Sequence, residues 1–294
     1  MIGFISYLVN GISLGSVYAL IALGYTMVYG IAKMLNFAHG DVIMIGAYVA
    51  FTAISGMGMP PVVGVLLSVV ACTVLGVLIE RIAYKPLRKA SKLAVLITAI
   101  GVSYFLQNVA LLIYGANTKS FTSVVTIPAL KLMDDKLVIS GETIVTVVAC
   151  LIIMAGLMTF MKYSKSGRAM LAVSEDSGAA QLMGVNVNAT IALTFAIGSA
   201  LAAVAAVLYS STYPLINPYM GSMLGLRAFI AAVIGGIGVI PGAMIGGFII
   251  GIAEALIKRY ISSAMADAIV FALLIIVLLV KPSGLLGRNE REKV

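Results

Sequence analysis

The sequence predicts an all-α, polytopic integral membrane protein with about eight or nine membrane-embedded helices. Its 294 residues are 62% hydrophobic and only 10% charged, with a mean hydropathy of +1.13, whereas soluble domains carry roughly 25% charged residues. The charges also leave long gaps, most of which reach the roughly 18–20 residues that cross a bilayer. The stretches without Asp, Glu, Lys or Arg are 4–31, 42–79, 93–118, 143–161, 189–226, 228–253 and 268–280.

The basic residues predict which side of the membrane each loop occupies. Most of the 19 Lys and Arg residues lie in three clusters between apolar stretches, at 81–92, 162–168 and 281–293. Such clusters are typical of cytoplasmic loops, so the net charge of +8 indicates topology and argues against nucleic acid as a partner. The spans then alternate as follows: 61–79 inward, 93–114 outward, 142–161 inward, 189–209 outward and 264–280 inward.

Residues 1–294 are expected to form a single membrane domain with two notable loops. Residues 162–188 form a cytoplasmic loop, and residues 115–141 form an extracytoplasmic loop whose positive and negative charges nearly balance. The first basic residue is Lys33, so the apolar start lacks the positive region of a secretory signal and is expected to remain as a span. This count places the N-terminus outside the cell.

Residues 226–257 do not fit one simple span. They would form a helix of roughly 48 Å, too long for one crossing and short for two. The run Gly235-Gly236-Ile237-Gly238-Val239-Ile240-Pro241-Gly242 lies in the middle, where glycine and proline interrupt a helix. A broken or re-entrant hairpin of two short helices follows, and Gly235 and Gly236 become candidates for a solute pathway. A plain tight turn is an equally good interpretation.

Polar side chains inside apolar stretches are the other pathway candidates: Asn36, His39, Gln107 and Asn108. Each also has a structural alternative. Asn36 can cap a helix, and the two amides can bond neighbouring helices. His39 and Asp41 are candidates for a proton relay, but their place between two apolar spans favours a cap or interface role. Glu254 and Asp267 are expected to pair with nearby cations.

The sequence gives little support for a catalytic function. One histidine, two cysteines in apolar stretches and scattered carboxylates offer neither a nucleophile with its base nor a metal cluster. The nucleotide-binding pattern G-x-x-x-x-G-K-[ST] does not occur in the sequence. We therefore expect a protein that is not an enzyme, needs no cofactor and receives its energy from a partner or a gradient.

The cytoplasmic loop contains a short helix of small residues. Ser174 precedes Glu175 and Asp176, which suits a helix start with acids near the positive end of the dipole, and Gly184 is expected to end the helix. A short helix in such a loop is a candidate docking element.

Several motifs in this chain resemble those of a known family. Gly178-Ala179-Ala180-x-x-x-Gly184 followed by Ile191-x-Leu193 is similar to the E-A-A-x-x-x-G coupling signature of ABC importer permeases, with Gly178 in place of the signature glutamate. Further motifs along nearly the whole chain resemble branched-chain amino acid permeases of the LivH type. They are Gly11–Leu20, Asn36-Phe37-Ala38-His39-Gly40-Asp41, Ile97–Ser103 and Gly235–Ala243.

The resemblance implies a membrane-spanning subunit in the inner (cytoplasmic) membrane that moves leucine, isoleucine or valine inward by alternating access. It implies a LivM-type second permease, two ABC ATPases of the LivG and LivF types, and an extracytoplasmic amino-acid-binding protein as partners. The coupling role then falls on Ser174, Glu175, Asp176, Ala179, Ala180 and Gly184. The alternatives are a permease of the same family for urea or short amides and a gradient-driven secondary carrier.

Overall fold

The computed structural model describes residues 2–88, 90–132 and 137–287. Most of them are helical, and the bounds of the five spans expected from the charge pattern agree with observed helices to within three residues. The helices are α1 (Ile2–Ala32), α2 (His39–Phe51), α3 (Pro61–Ile79), α4 (Lys92–Tyr114), α5 (Gly141–Tyr163), α6 (Lys165–Glu175), α7 (Ser177–Leu182), α8 (Val187–Thr212), α9 (Met220–Gly235), α10 (Ile240–Tyr260) and α11 (Ala266–Val280).

The prediction of a polytopic helical membrane protein is confirmed. Six helices in the described ranges are long and apolar enough to cross a membrane: Gly3–Ala32, Pro61–Leu87, Lys92–Tyr114, Gly141–Tyr163, Val187–Thr212 and Ile240–Tyr260. The shorter apolar helices α9 and α11 and the buried helix α2 bring the embedded helices of the described chain to nine, within the expected range. The second of the long helices continues α3 through a π-helical turn at Glu80–Tyr84 and a 3-10 turn at Lys85–Leu87.

Helices α1, α2 and α8 form the centre of the bundle, because small residues let their backbones approach closely. A Cβ at Gly46 of α2 would lie 3.2 Å from the Cα of Ala203 in α8, and one at Gly198 of α8 would lie 3.4 Å from the Gly24 carbonyl in α1. Helices α3, α9 and α10 pack around this centre. Helices α4 and α5 are mostly exposed at the periphery.

The break expected near 226–257 occurs in the predicted glycine run, where Gly236 has φ +108° and Gly238 has φ +93°. The flanking helices are longer than expected, since α9 begins at Met220 and α10 continues to Tyr260. Helix α10 is therefore a complete span and not a short half-helix. Pro241 explains this, because in the first turn of α10 its missing N–H interrupts no hydrogen bond.

The two ends of the bundle differ in character. At one end, which we call the basic end, the tail of α3 meets the start of α8 through Arg88 and Asn188, whose side chains are 2.5 Å apart, and α6 and α7 lie beside them. The other end carries two small antiparallel pairings, β1 (Lys119–Ser120) with β4 (Leu215–Ile216), and β2 (Leu130–Leu132) with β3 (Leu137–Ile139). The 115–141 loop thus adds strands to this end, and its residues 133–136 lie outside the described ranges.

Candidate functional site

The loop at residues 162–188 forms two helices instead of one. Ser164 accepts a hydrogen bond from the Gly167 amide at 2.8 Å and caps α6. Asp176 accepts from the amides of Gly178 and Ala179 at 2.8 and 2.9 Å and caps α7. The expected helix start at Ser174 is wrong, because α6 continues through it to Glu175 and the carboxylate of Asp176 is the group that satisfies the first free amides of α7.

Helix α7 ends at the glycine that the sequence predicted. Gly184 has φ +84°, and the Val185 amide donates to the Ala180 carbonyl at 3.0 Å, which closes the helix with a left-handed residue. Beside this turn, Leu182 and Met183 are 90% and 85% exposed. The candidate coupling residues therefore surround a short helix with an uncovered apolar tip, which we call the α7 tip (Leu182 and Met183).

The α7 tip is connected to the core of the bundle. Ala180 is buried, and α7 contacts α6 and α8. Met170 and Val173 of α6 are buried, and α6 packs against α1, α5 and α8. Gly167 fits so closely against Phe160 and Met161 of α5 that a Cβ would collide with their backbone. The α7 tip is thus linked through α6 to three helices of the bundle, α1, α5 and α8.

Three buried polar residues lie where the chain enters α2. Asn36, His39 and Asp41 are all buried. The Tyr84 hydroxyl donates to Asn36 Oδ1 at 2.9 Å. The His39 ring packs edge-on against Tyr25 at 4.8 Å between centroids and fills the space that a Cβ at Gly24 would need. Asn36 and His39 thus lie in the packed core.

Asp41 connects α2 to the peripheral helix α4. Its Oδ1 accepts a hydrogen bond from Gln107 Nε2 at 3.0 Å, and its Oδ2 accepts one from the Ser103 hydroxyl. Gln107 Nε2 also lies 3.2 Å from Ser103 Oγ. The amide of Gln107 therefore makes the helix–helix bond that was one of its two interpretations.

A cavity of about 290 Å³ lies in front of this cluster. We call it the α4–α9 cavity, because α4 and α9 form two of its walls. The other wall comes from Tyr25 of α1 and from Phe37 in the connection to α2. Its remaining lining residues are Leu96, Ile100, Ser103, Tyr104, Gln107, Ser222 and Leu226.

The other pathway candidates lie elsewhere. Asn108 is exposed on the outer face of α4 and donates to the carbonyl of Tyr104 at 2.8 Å. Gly235 and Gly236 lie at the basic end, where the C-terminal segment covers their turn: the amide of Leu286 donates to the Gly235 carbonyl at 3.0 Å. Of the six candidates, the structure brings only Gln107 to the α4–α9 cavity.

A cluster of charges inside the bundle was only partly predicted. Glu254 pairs with Arg227 at 2.9 Å and with Lys258 at 2.6 Å, and Arg227 also pairs with Asp267 at 2.6 Å. The Tyr18 hydroxyl donates to Glu254 at 2.7 Å. Pairing of both acids was expected, but Arg227 was missed, although it is the one charge that separates the stretches 189–226 and 228–253.

The apolar helices, the tight glycine contacts and the buried charge cluster together define a multi-pass α-helical membrane protein. Residues 7–278 match the family model described as "Branched-chain amino acid transport system / permease component". The chain belongs to this permease family. The LivH-type resemblance stated from the motifs is therefore confirmed.

The similarity to known permeases extends over nearly the full length of the chain. It is 48% identical to the LivH permease protein of the high-affinity branched-chain amino acid transport system of Escherichia coli, over 99% of this chain and 98% of the relative. It is 46% identical to the BraD permease protein of the corresponding system of Pseudomonas aeruginosa, with the same shares covered. The solved structure of PsaBC from Streptococcus pneumoniae in complex with Fab covers 94% of this chain and 92% of its own, at 14% identity and a TM-score of 0.50. This last likeness concerns the fold alone.

Proposed function

We propose that this chain is a membrane-spanning subunit of an ABC importer that moves leucine, isoleucine and valine inward across the cytoplasmic (inner) membrane by alternating access. The observation that carries the proposal is the full-length match to branched-chain amino acid permeases. The relatives' substrate class favours branched-chain amino acids over urea or short amides. ATP hydrolysis belongs to partner ATPases in this proposal.

The α7 tip is the proposed contact for one ATPase. Exposed Leu182 and Met183 are costly in water and inexpensive in an apolar groove of a partner. The cap at Asp176 and the left-handed turn at Gly184 hold the helix that presents them. Since α6 links this loop to α1, α5 and α8, movement of the ATPase would reorient helices in the bundle.

The second permease, of the LivM type, is proposed to cover the face that contains the α4–α9 cavity. Tyr104 is 62% exposed and Ser222 is exposed there, and polar groups that face hydrocarbon are unfavourable. Protein on this face would shield them and enclose a passage between the two permeases. The binding protein would then deliver its amino acid at the opposite end, beside the β1–β4 pairing.

ATP-driven leucine uptake by the complete transporter tests whether α7 couples the ATPases to the membrane helices. Gly184→Val forces a β-branched residue to φ +84°, which costs on the order of 1–3 kcal/mol and should displace the α7 tip. Gly156→Val on exposed α5, where a Cβ meets nothing within 4 Å, is the matched control. We expect ATP-driven leucine uptake to fall with Gly184→Val alone, while membrane insertion stays normal. Unchanged uptake would contradict the coupling role.

A further inference from the structure

We infer that the α4–α9 cavity receives the ammonium group of the transported amino acid on two acceptors, Gln107 Oε1 and Ser103 Oγ, whose orientation is set by Asp41 behind them. This inference rests on the proposed function and adds to it a recognition site within the membrane. Asp41 is a positioning residue here, since it does not line the cavity.

Asp41 has the surroundings of a carboxylate that acts on its neighbours. Asp41 is fully buried. Each of its two carboxylate oxygens accepts a hydrogen bond from α4, one from Gln107 and one from Ser103. The ion pairs of the described residues do not include Asp41. A carboxylate in the first turn of α2 is favoured by the helix dipole, but none of the cations in the described ranges forms an ion pair with it.

This arrangement determines which atoms the cavity presents. A carboxylate accepts and does not donate, so the Ser103 hydroxyl hydrogen and a Gln107 N–H are used on Asp41. The opposite atom of the Gln107 amide, Oε1, takes part in none of the hydrogen bonds found among the described residues. Ser103 Oγ accepts from the second Gln107 N–H at 3.2 Å and keeps one free lone pair. The part of the wall next to Asp41 therefore presents acceptors with a negative charge behind them, whereas the hydroxyls of Tyr104 and Ser222 elsewhere on the wall can also donate.

Acceptors backed by a negative charge select a cation with several N–H donors. An α-ammonium group supplies three N–H donors and one positive charge, as a lysine ammonium does. The rest of the wall suits an aliphatic side chain, because Phe37, Ile100 and Leu226 line the same cavity. The volume of about 290 Å³ lies at the lower end of the roughly 300–1,000 Å³ of small-molecule sites. An isolated carboxylate or sulfonate would be repelled.

A cysteine probe measures this preference in the purified, detergent-solubilised transporter complex. Ser222→Cys places a thiol on the wall at a residue outside the Asp41 cluster, and the two native cysteines are buried. Its modification rates by trimethylammonium-ethyl and sulfonato-ethyl methanethiosulfonate are compared, each divided by the rate at Met57→Cys, which is 64% exposed beyond the C-terminal end of α2. We expect a normalised preference for the cation of at least about tenfold.

Asp41→Asn should remove most of this preference. If that variant does not assemble, protection supplies the same test without it: leucine should slow the labelling of Ser222→Cys, and 4-methylpentanoate, which lacks the ammonium group, should not. Equal normalised rates, a preference that survives Asp41→Asn, or equal protection by both solutes would overturn the inference. ATP-dependent leucine uptake by the same complex after reconstitution into liposomes would then show that the proposed function stands without this subsite.

Discussion

Glu254 illustrates how a single residue organises charges inside this bundle. It is fully buried and contacts Tyr18 of α1, Arg227 of α9 and Lys258 of its own helix. Arg227 carries the network on to Asp267 of α11. One carboxylate therefore connects helices that are far apart in the sequence, and removing it would leave two cations facing one remaining acid.

We expect Glu254→Gln to destabilise the folded protein by roughly 3 kcal/mol, because breaking a buried ion pair leaves an uncompensated charge. The midpoint of thermal unfolding in detergent measures this. Glu175→Gln, at an exposed position of α6, is the matched control and should leave the midpoint unchanged. Equal midpoints for the two variants would show that the network contributes nothing to stability.

The sequence predicted which single residues are important better than it predicted the residues that they contact. It singled out Glu254 and Asp267 as paired acids and Gln107 as a pathway or contact residue. It could not show that Gln107 and Ser103 meet Asp41, because that contact joins residues more than 60 positions apart across two helices. The capping role of Asp176 was missed for a more local reason: Ser174 and Asp176 are both good N-cap residues, and only the three-dimensional path of α6 distinguishes them.

Helices α1 and α10 pack through glycine at the scale of whole elements. The two helices run antiparallel, and their small residues meet along the contact: Gly11 faces Ile252 and Ala255, Gly15 faces Phe248, and Gly247 faces Ala19. Gly251 fits against the backbone of Gly15, where a Cβ would collide with the Gly15 amide nitrogen. Gly11 and Gly15, like Gly247 and Gly251, are four residues apart, so each pair lies on one face of its helix and lets the backbones touch.

Gly251→Leu is expected to separate α1 from α10 and to destabilise the protein by about 1–3 kcal/mol or more, as overpacking of a close contact does. Gly156→Leu on α5 is the control, because a Cβ there meets nothing within 4 Å. The midpoint of thermal unfolding in detergent distinguishes them. If both variants unfold at the wild-type temperature, the close α1–α10 contact is wrong.

The positions of most membrane-spanning helices followed from the placement of charges along the sequence, since a bilayer requires long runs without charge. The hairpin after α9 shows the limit of this method. The glycine run located the turn, but length counting treated 226–257 as the whole hairpin, whereas α9 starts six residues earlier, at Met220. Tyr219 and Met220 carry no charge, so nothing in the hydropathy pattern marks the end of the preceding segment there.

The whole molecule has two distinct ends, and from the positive-inside pattern we expect the basic end to face the cytoplasm. The α7 tip lies at that end. Residues 57–60, between α2 and α3, lie at the other, because α2 leaves the buried Asn36 region and α3 returns from these residues to Tyr84, which bonds to Asn36. The antiparallel contact of α1 with α10 places the start of α1 at the same end as residues 57–60.

This topology predicts opposite labelling of two exposed cysteines in intact cells. A membrane-impermeant maleimide should modify Met57→Cys from outside and should reach Leu182→Cys only after the membrane is opened, and both positions are well exposed. The native cysteines are buried, so the unsubstituted chain serves as the control. Labelling of Leu182→Cys in sealed cells would invert the topology and remove the α7 tip from the cytoplasmic ATPases.

We propose above all that the chain has no energy source of its own and that partner ATPases move it through the α6–α7 loop. Leucine uptake into proteoliposomes tests it most directly, with the chain alone compared with the complete set of two permeases, two ATPases and the binding protein. We expect uptake only by the complete set, and only when ATP is on the side of the membrane that the ATPases face. We expect no uptake by the chain alone under a proton or sodium gradient. Robust gradient-driven uptake by the chain alone would contradict it and identify a secondary carrier.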